Sequence, residues 1–174
     1  VTVWPVAETV DGNRQGAVFT TEYVTSIQAA SPQQLSSDLK DARAYNAELP
    51  AEALDDPWGD DAEQASTAHD HYLRTLGSTK ARVRLRIPAI DGDLPIFHDS
   101  DRLSMSYGVG HMYGSSLPAG GADTHAVLAA HTGLRGRTMF DRLPELTLDE
   151  TFQVDVAGAA LTYRIDQIVV VEPW

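Results

Sequence analysis

Arg82-Val83-Arg84-Leu85-Arg86-Ile87 is the stretch on which the reading of the fold turns. Charged and apolar residues alternate without a break, so Val83, Leu85 and Ile87 share one face and the arginines the other. That pattern predicts a half-buried strand with a basic outer face. Asp91-Gly92 follows as a turn, and Leu94 to Phe97 reads as the returning strand. Pro95 has no N–H to give to a ladder, which places that strand at a sheet edge. The same period returns further on: Phe152, Val154 and Val156, then Leu161, Tyr163 and Ile165, predict a hairpin about Gly158. Ala126 to Ala130 reads as a short buried strand between them. The Gly-, Ser- and Pro-rich stretch 98–124 reads as loop, and Thr138 to Leu143 as one helical turn or two, ended by Pro144. Short strands at this spacing predict a β-barrel or a sandwich.

Upstream of residue 80 the period is helical. In Ser31-Pro32-Gln33-Gln34 the serine suits an N-cap, the proline a first turn, and Gln34 the far end of a capping box. Leu35, Leu39, Ala42, Asn46 and Leu49 then mark one stripe, which Pro50 ends. Residues 61–76 predict a second helix, with Ala62, Ala65, His69, Tyr72, Leu73 and Leu76 broadly on one side and Gly77 as its stop. Residues 1–30 are rich in Val and Thr and support two readings: Val18 to Ile27 fits a helix or an extended arm. The expected organisation is a helical region over 1–80 and a β-rich region over 81–174.

Bulk properties remove several classes of function. Against 13 basic residues stand 25 acidic ones, a net charge of −12 that repels phosphate backbones and anionic lipid alike, so nucleic acid is not an expected partner. No apolar run approaches the roughly 20 residues of a membrane span, and no signal peptide is visible. The sequence has no cysteine, which excludes disulfides, thiolate metal sites and a cysteine nucleophile within these residues. The apolar run Ile168 to Val171 would stand as an unpaired edge if the chain ended at Trp174, so the native polypeptide is expected to continue with strands that close the barrel.

Few residues offer chemistry on their own. His69-Asp70-His71 has a metal-like look, but positions two apart on a helix face different directions, and a solvated helix face explains them better. His125 and His131 bracket the Ala126–Ala130 strand, about 20 Å apart if it is extended, too far to share a metal ion. His131 at a strand end fits a loop-capping role and a catalytic one equally. Gly114-Ser115-Ser116-Leu117-Pro118 departs from a nucleophile elbow after its serine, and no phosphate-cradling glycine loop occurs. In Asp55-Asp56-Pro57-Trp58-Gly59-Asp60 the Asp-Pro and Gly are turn chemistry, while Trp58 is an aromatic in an acidic loop, where such a ring usually has something to cover.

Several fragments, in order, resemble class C sortases, the pilus-assembling transpeptidases of Gram-positive cell surfaces. Ile87-Pro88-Ala89-Ile90 and Asp93-Leu94-Pro95-Ile96-Phe97-His98 resemble their first barrel strands. Gly108-Val109-Gly110-His111, Gly114-Ser115-Ser116-Leu117-Pro118 and Gly120-Gly121 resemble the next loop. Thr124-His125-Ala126-Val127-Leu128-Ala129-Ala130-His131 resembles the strand that presents the catalytic histidine, with Ala130 where the family usually has glycine. Met139-Phe140-Asp141-Arg142-Leu143 resembles the helical turn after it. Upstream, Ala42-Arg43-Ala44-Tyr45-Asn46 and Asp56-Pro57-Trp58-Gly59 resemble the amino-terminal helix and the lid that mark class C.

The resemblance implies a fold that is mainly β with α, a sortase-type β-barrel, incomplete over 81–174, preceded by a helical region carrying a lid loop. It implies cysteine transpeptidation: cleavage of a Leu-Pro-x-Thr-Gly-like sorting signal and transfer of the acyl group to a pilin lysine. His131 matches the general acid/base. The family's Cys and Arg would lie past Trp174, so these 174 residues alone should be inactive. Asp56 would pair with that Arg and Trp58 would lie against that Cys, closing the cleft. No cofactor and no metal are implied. The partners are pilin subunits carrying a sorting signal and an acceptor lysine. The location is extracytoplasmic, at the cell surface, with membrane anchoring only through segments outside this chain. A non-catalytic β-rich surface module, such as a pilin or adhesin domain, is the competing reading. A metal hydrolase using His69 and His71 is the third.

Overall fold

A computed structural model describes residues 4–50, 62–76, 81–98, 104–134 and 136–171. Helix α1 spans Trp4–Ala29 and settles the open reading of Val18 to Ile27 as helical. Val and Thr alone are weak helix formers, but Phe19, Tyr23 and Ile27 recur every four residues and pack together with Phe97. The Phe19 ring meets Phe97 edge-on at 5.2 Å between centroids. Helix α2, Pro32–Glu48, starts as its sequence predicts: Ser31 caps it by accepting from the Gln34 N–H at 3.1 Å. The capping box is only half made, because the Gln34 side chain turns forward and donates to Asp38 at 2.7 Å. Helix α3, Ala62–Arg74, turns its Tyr72 fully inward and is followed by Leu76 in the left-handed region; Gly77 lies outside the described residues.

The strands are β1 (Ala81–Ile87), β2 (Gly92–His98), β3 (Val109–His111), β4 (Leu128–Ala129), β5 (Thr151–Val156) and β6 (Ala159–Arg164). They form one mixed sheet in the order β4-β3-β2-β1-β5-β6, antiparallel except for β2 beside β3. It curls as a half-barrel. β1 is central, antiparallel to both β2 and β5. Its apolar face is buried as the alternation predicts, with Val83 1%, Leu85 3% and Ile87 4% exposed. The basic outer face is not left bare. Arg84 grips Asp93 through two bonds of 2.7 Å, and Arg86 grips Asp155 at 2.8 and 2.9 Å. β5 and β6 form the expected hairpin through Ala157 and Gly158, both at positive φ, the two-residue turn that suits strand twist. A Cβ at Gly158 would also sit 3.0 Å from the Leu35 side chain, so α2 seats directly on this turn.

Four expectations need correction. Leu94 to Phe97 is not at a sheet edge, because β3 lies on its far side. That parallel pairing begins at Ile96, one residue past Pro95, so β3 asks no N–H of the proline. The stretch 98–124 is not all loop: its sequence hides a short helix α4 (Ser104–Tyr107) and the fully buried β3. The expected buried strand over Ala126–Ala130 shrinks to Leu128–Ala129, only half-buried. Thr138 to Leu143 forms hydrogen-bonded turns, and Pro144 lies inside a 3-10 turn, Leu143–Glu145, rather than ending a helix. The main apolar core joins Ala42 and Tyr45 of α2 and Tyr72 of α3 to the inner face of β1, β2 and β5.

Candidate active site

β4 delivers His131. The strand pairs with β3 through only Gly110 with Ala129 and His111 with Leu128, extended by the Met112 N–H donating to the Val127 carbonyl at 3.0 Å. Two residues past Ala129 the His131 side chain is exposed. Behind it the chain folds back on itself. The His131 carbonyl accepts from the Phe140 N–H at 3.3 Å, and the Gly133 N–H donates to the Asp141 carboxylate. Gly133 stands at φ +66°, a conformation that few other residues adopt without strain. His131 therefore stands at the mouth of a closed loop with its ring in solvent. Imidazole is the side chain most used to give and take protons, and it must be reachable to do so.

The floor beneath this strand is polar and buried. His111 and Ser115 are each 1% exposed and Tyr72 is fully buried. The Tyr72 hydroxyl lies 2.8 Å from His111 Nδ1 and 3.1 Å from the His111 carbonyl. On the other side of the ring, Nε2 lies 2.8 Å from the Ser116 carbonyl and 3.0 Å from Ser115 Oγ. Ser115 Oγ in turn donates to the Met112 carbonyl at 2.7 Å and accepts from the Val127 N–H at 3.1 Å. The loop after β3 is also fastened to α2. Asn46 donates to the Leu117 carbonyl at 2.9 Å and accepts from its N–H at 2.7 Å, while Arg43 donates to the Ala119 carbonyl at 3.1 Å.

A sortase domain model matches residues 85–174 of this sequence. The chain belongs to the sortase family. Among solved structures it is similar to sortase C-1 from Actinomyces oris, at 37% identity and TM-score 0.72 over 82% of this chain and 78% of that one. A lid mutant of sortase A from Corynebacterium diphtheriae aligns at 33% identity and TM-score 0.71 over 82% and 75%. Sortase C from Streptococcus pneumoniae aligns at 29% identity and TM-score 0.71 over 86% and 73%. Comparison with curated proteins finds no match. The expected fold, helices ahead of an incomplete sortase-type barrel, is the one the chain has.

Of the residues picked out by sequence, His131 lies at the end of the strand, exposed. Asp56 and Trp58 lie outside the described residues. His125 is exposed and joins its neighbours through backbone: its carbonyl accepts from the Ser116 N–H at 2.9 Å, and its N–H donates to Ser116 Oγ at 3.2 Å. His69 and His71 diverge as helical spacing requires, His69 against Tyr113 at 4.9 Å and His71 against Tyr45 at 5.7 Å between ring centroids. Among the described residues no three potential ligands gather to hold a metal ion. Sequence reasoning missed His111, Tyr72 and Ser115 as a group. Asn46, on the stripe of α2 that otherwise faces inward, signalled a polar contact of its own, with Leu117, and not that group.

Proposed function

We propose that this chain is the helical region (1–80, with the lid) and the first part of the barrel (81–174) of a class C sortase, a cysteine transpeptidase that joins pilin subunits. The observation that carries the reading is His131, exposed at the end of β4 where the family presents its acid/base. Two structural neighbours support the class: the Actinomyces oris protein is a sortase C, and the Streptococcus pneumoniae protein is a sortase C with specificity for pilin substrates. In this mechanism a thiolate attacks the Thr–Gly carbonyl of a sorting signal. His131 protonates the departing glycine amine, and a pilin lysine then resolves the thioester with its proton passing back to His131. The sequence contains no cysteine, so in this reading the nucleophile, and the oxyanion-stabilising arginine with it, come from beyond Trp174.

Asp56 and Trp58 form the lid in this reading, an ion pair to that arginine and a ring over that sulfur. Each contact is worth only about 0.3–1.5 kcal/mol, so substrate can displace the lid. The enzyme works outside the cytoplasm, at the cell surface. Among the described residues no helix is long and apolar enough to cross a membrane. The decisive experiment is His131→Ala in the full-length enzyme. Transpeptidation should fall by at least about 100-fold while the melting temperature holds. Wild-type polymerisation by a folded His131→Ala enzyme would rule the reading out.

A further inference from the structure

We infer that Tyr72, His111 and Ser115 are positioning residues for His131: a buried hydrogen-bonded network that fixes the strand delivering it. The inference rests on the reading of His131 given above. It starts from the weakness of the strand itself. β4 has two paired residues on each side of its ladder and is only half-buried, so backbone pairing alone holds it loosely. Side chains supply what the ladder lacks. Ser115 Oγ takes the Val127 N–H, and Ser116 bonds to both the N–H and the carbonyl of His125. These grips fall on 125–127, immediately before β4 and four residues ahead of His131 at the nearer end.

His111 sets both serines at once, and its hydrogen-bond partners decide how. The Ser116 carbonyl accepts only, so the Nε2 that faces it carries the proton. The single proton of Ser115 goes to the Met112 carbonyl, so Ser115 Oγ also meets Nε2 as an acceptor. In the neutral ring Nδ1 carries no proton, so the single Tyr72 proton lies between two acceptors, Nδ1 at 2.8 Å and the His111 carbonyl at 3.1 Å. Tyr72 is thus the far anchor of a chain of bonds from α3 to the backbone before β4. An apolar core at this place would need no such arrangement, and every member is satisfied, which is the condition under which a buried polar network holds one geometry.

The test uses the full-length enzyme carrying Tyr72→Phe or Ser115→Ala. Tyr72→Phe keeps the ring that stacks on His98 at 4.3 Å and removes only the hydroxyl. Each variant should lower kcat for a sorting-signal peptide about 10-fold, because a small misplacement of a reacting group is costly. KM should stay within about twofold of wild type, since Tyr72 and Ser115 are both buried and out of reach of a bound peptide. The His131 ring resonances in a nitrogen-15 spectrum should move in both variants, which a remote loss of stability would not cause. Wild-type kcat with an unmoved His131 resonance in either folded variant overturns the inference. If Tyr72→Phe does not fold, Ser115→Ala tests the same link from its other end, and the NMR of a folded Tyr72→Trp or Ser115→Gly variant replaces whichever is lost. The two claims fail separately: an active His131→Ala enzyme removes the catalytic role, whereas an inactive one beside a fully active Tyr72→Phe enzyme removes only the positioning network.

Discussion

At the scale of single residues, Asn46 shows how one side chain fixes a loop. It meets both backbone groups of Leu117, donor to acceptor and acceptor to donor, and Leu117 is 1% exposed. Asn46→Ala strips both bonds from a partly buried site and should cost about 1–3 kcal/mol, read as a lower urea midpoint with an unchanged slope. Asn46→Asp keeps the acceptor for the Leu117 N–H but sets a carboxylate oxygen against the Leu117 carbonyl. It should therefore destabilise at neutral pH at least as much as alanine does. Wild-type midpoints in both variants would mean that the loop is held by its other bonds. Legibility divides along the same line. His131 is singled out through the resemblance of Thr124 to His131 to a sortase strand, since by its position alone it fits a loop cap equally well. His111 could not be, because its importance comes from Tyr72, 39 positions away in sequence, and nothing local records such a partner.

At the scale of elements, α1 docks on the outer face of the sheet through a residue with an unusual titration. Burial pushes the Tyr23 phenol above its usual value, and the nearby Asp155 carboxylate adds to the rise; the Gly158 backbone bond and Arg84 and Arg86 oppose it. The folded state therefore holds this proton where the unfolded chain, ionising near 10.0, has released it. The stability from Tyr23 is complete below pH 10 and is lost as pH rises beyond it, by at most about 1.4 kcal/mol per pH unit. Melting temperatures between pH 9 and 11.5 should fall more steeply for wild type than for Tyr23→Phe; parallel curves would contradict the burial. α1 was ambiguous in sequence because Val and Thr favour strands locally, and the docking of Phe19 and Tyr23 on Phe97 overrides that preference. The β5–β6 hairpin was legible because alternation and a turn glycine agree. β3 and α4 were not, because three or four residues in a Gly- and Ser-rich stretch carry no period.

At the scale of the molecule, two opposing terms govern how these 174 residues behave alone. The net charge of −12 drives copies apart. Against it, Ile168, Val169, Val170 and Val171 stand 53%, 62%, 91% and 80% exposed, a continuous apolar run after β6, whose own outer side has no strand neighbour among the described residues. Each such side chain gains up to about 1.5–3 kcal/mol on full burial, while association costs about 4–15 kcal/mol. A self-association in the micromolar range or weaker is the expected balance. Salt decides between the terms. The screening length falls from about 30 Å at 0.01 M to about 10 Å at 0.1 M, so repulsion fades while apolar contact does not. Association of the 174-residue chain should therefore rise with salt, the reverse of a contact held by ion pairs. Sedimentation velocity at 0.01 and 0.3 M salt measures this, with Val170→Glu/Val171→Glu expected to stay monomeric at both. A chain that is monomeric at high salt would mean that the run is covered by its own neighbours in solution, and an equally associated double variant would place the contact elsewhere on the surface. The longer enzyme proposed above would separate two origins of the run. If further strands pair with it, association disappears there; if it persists, the run is a surface that meets other molecules.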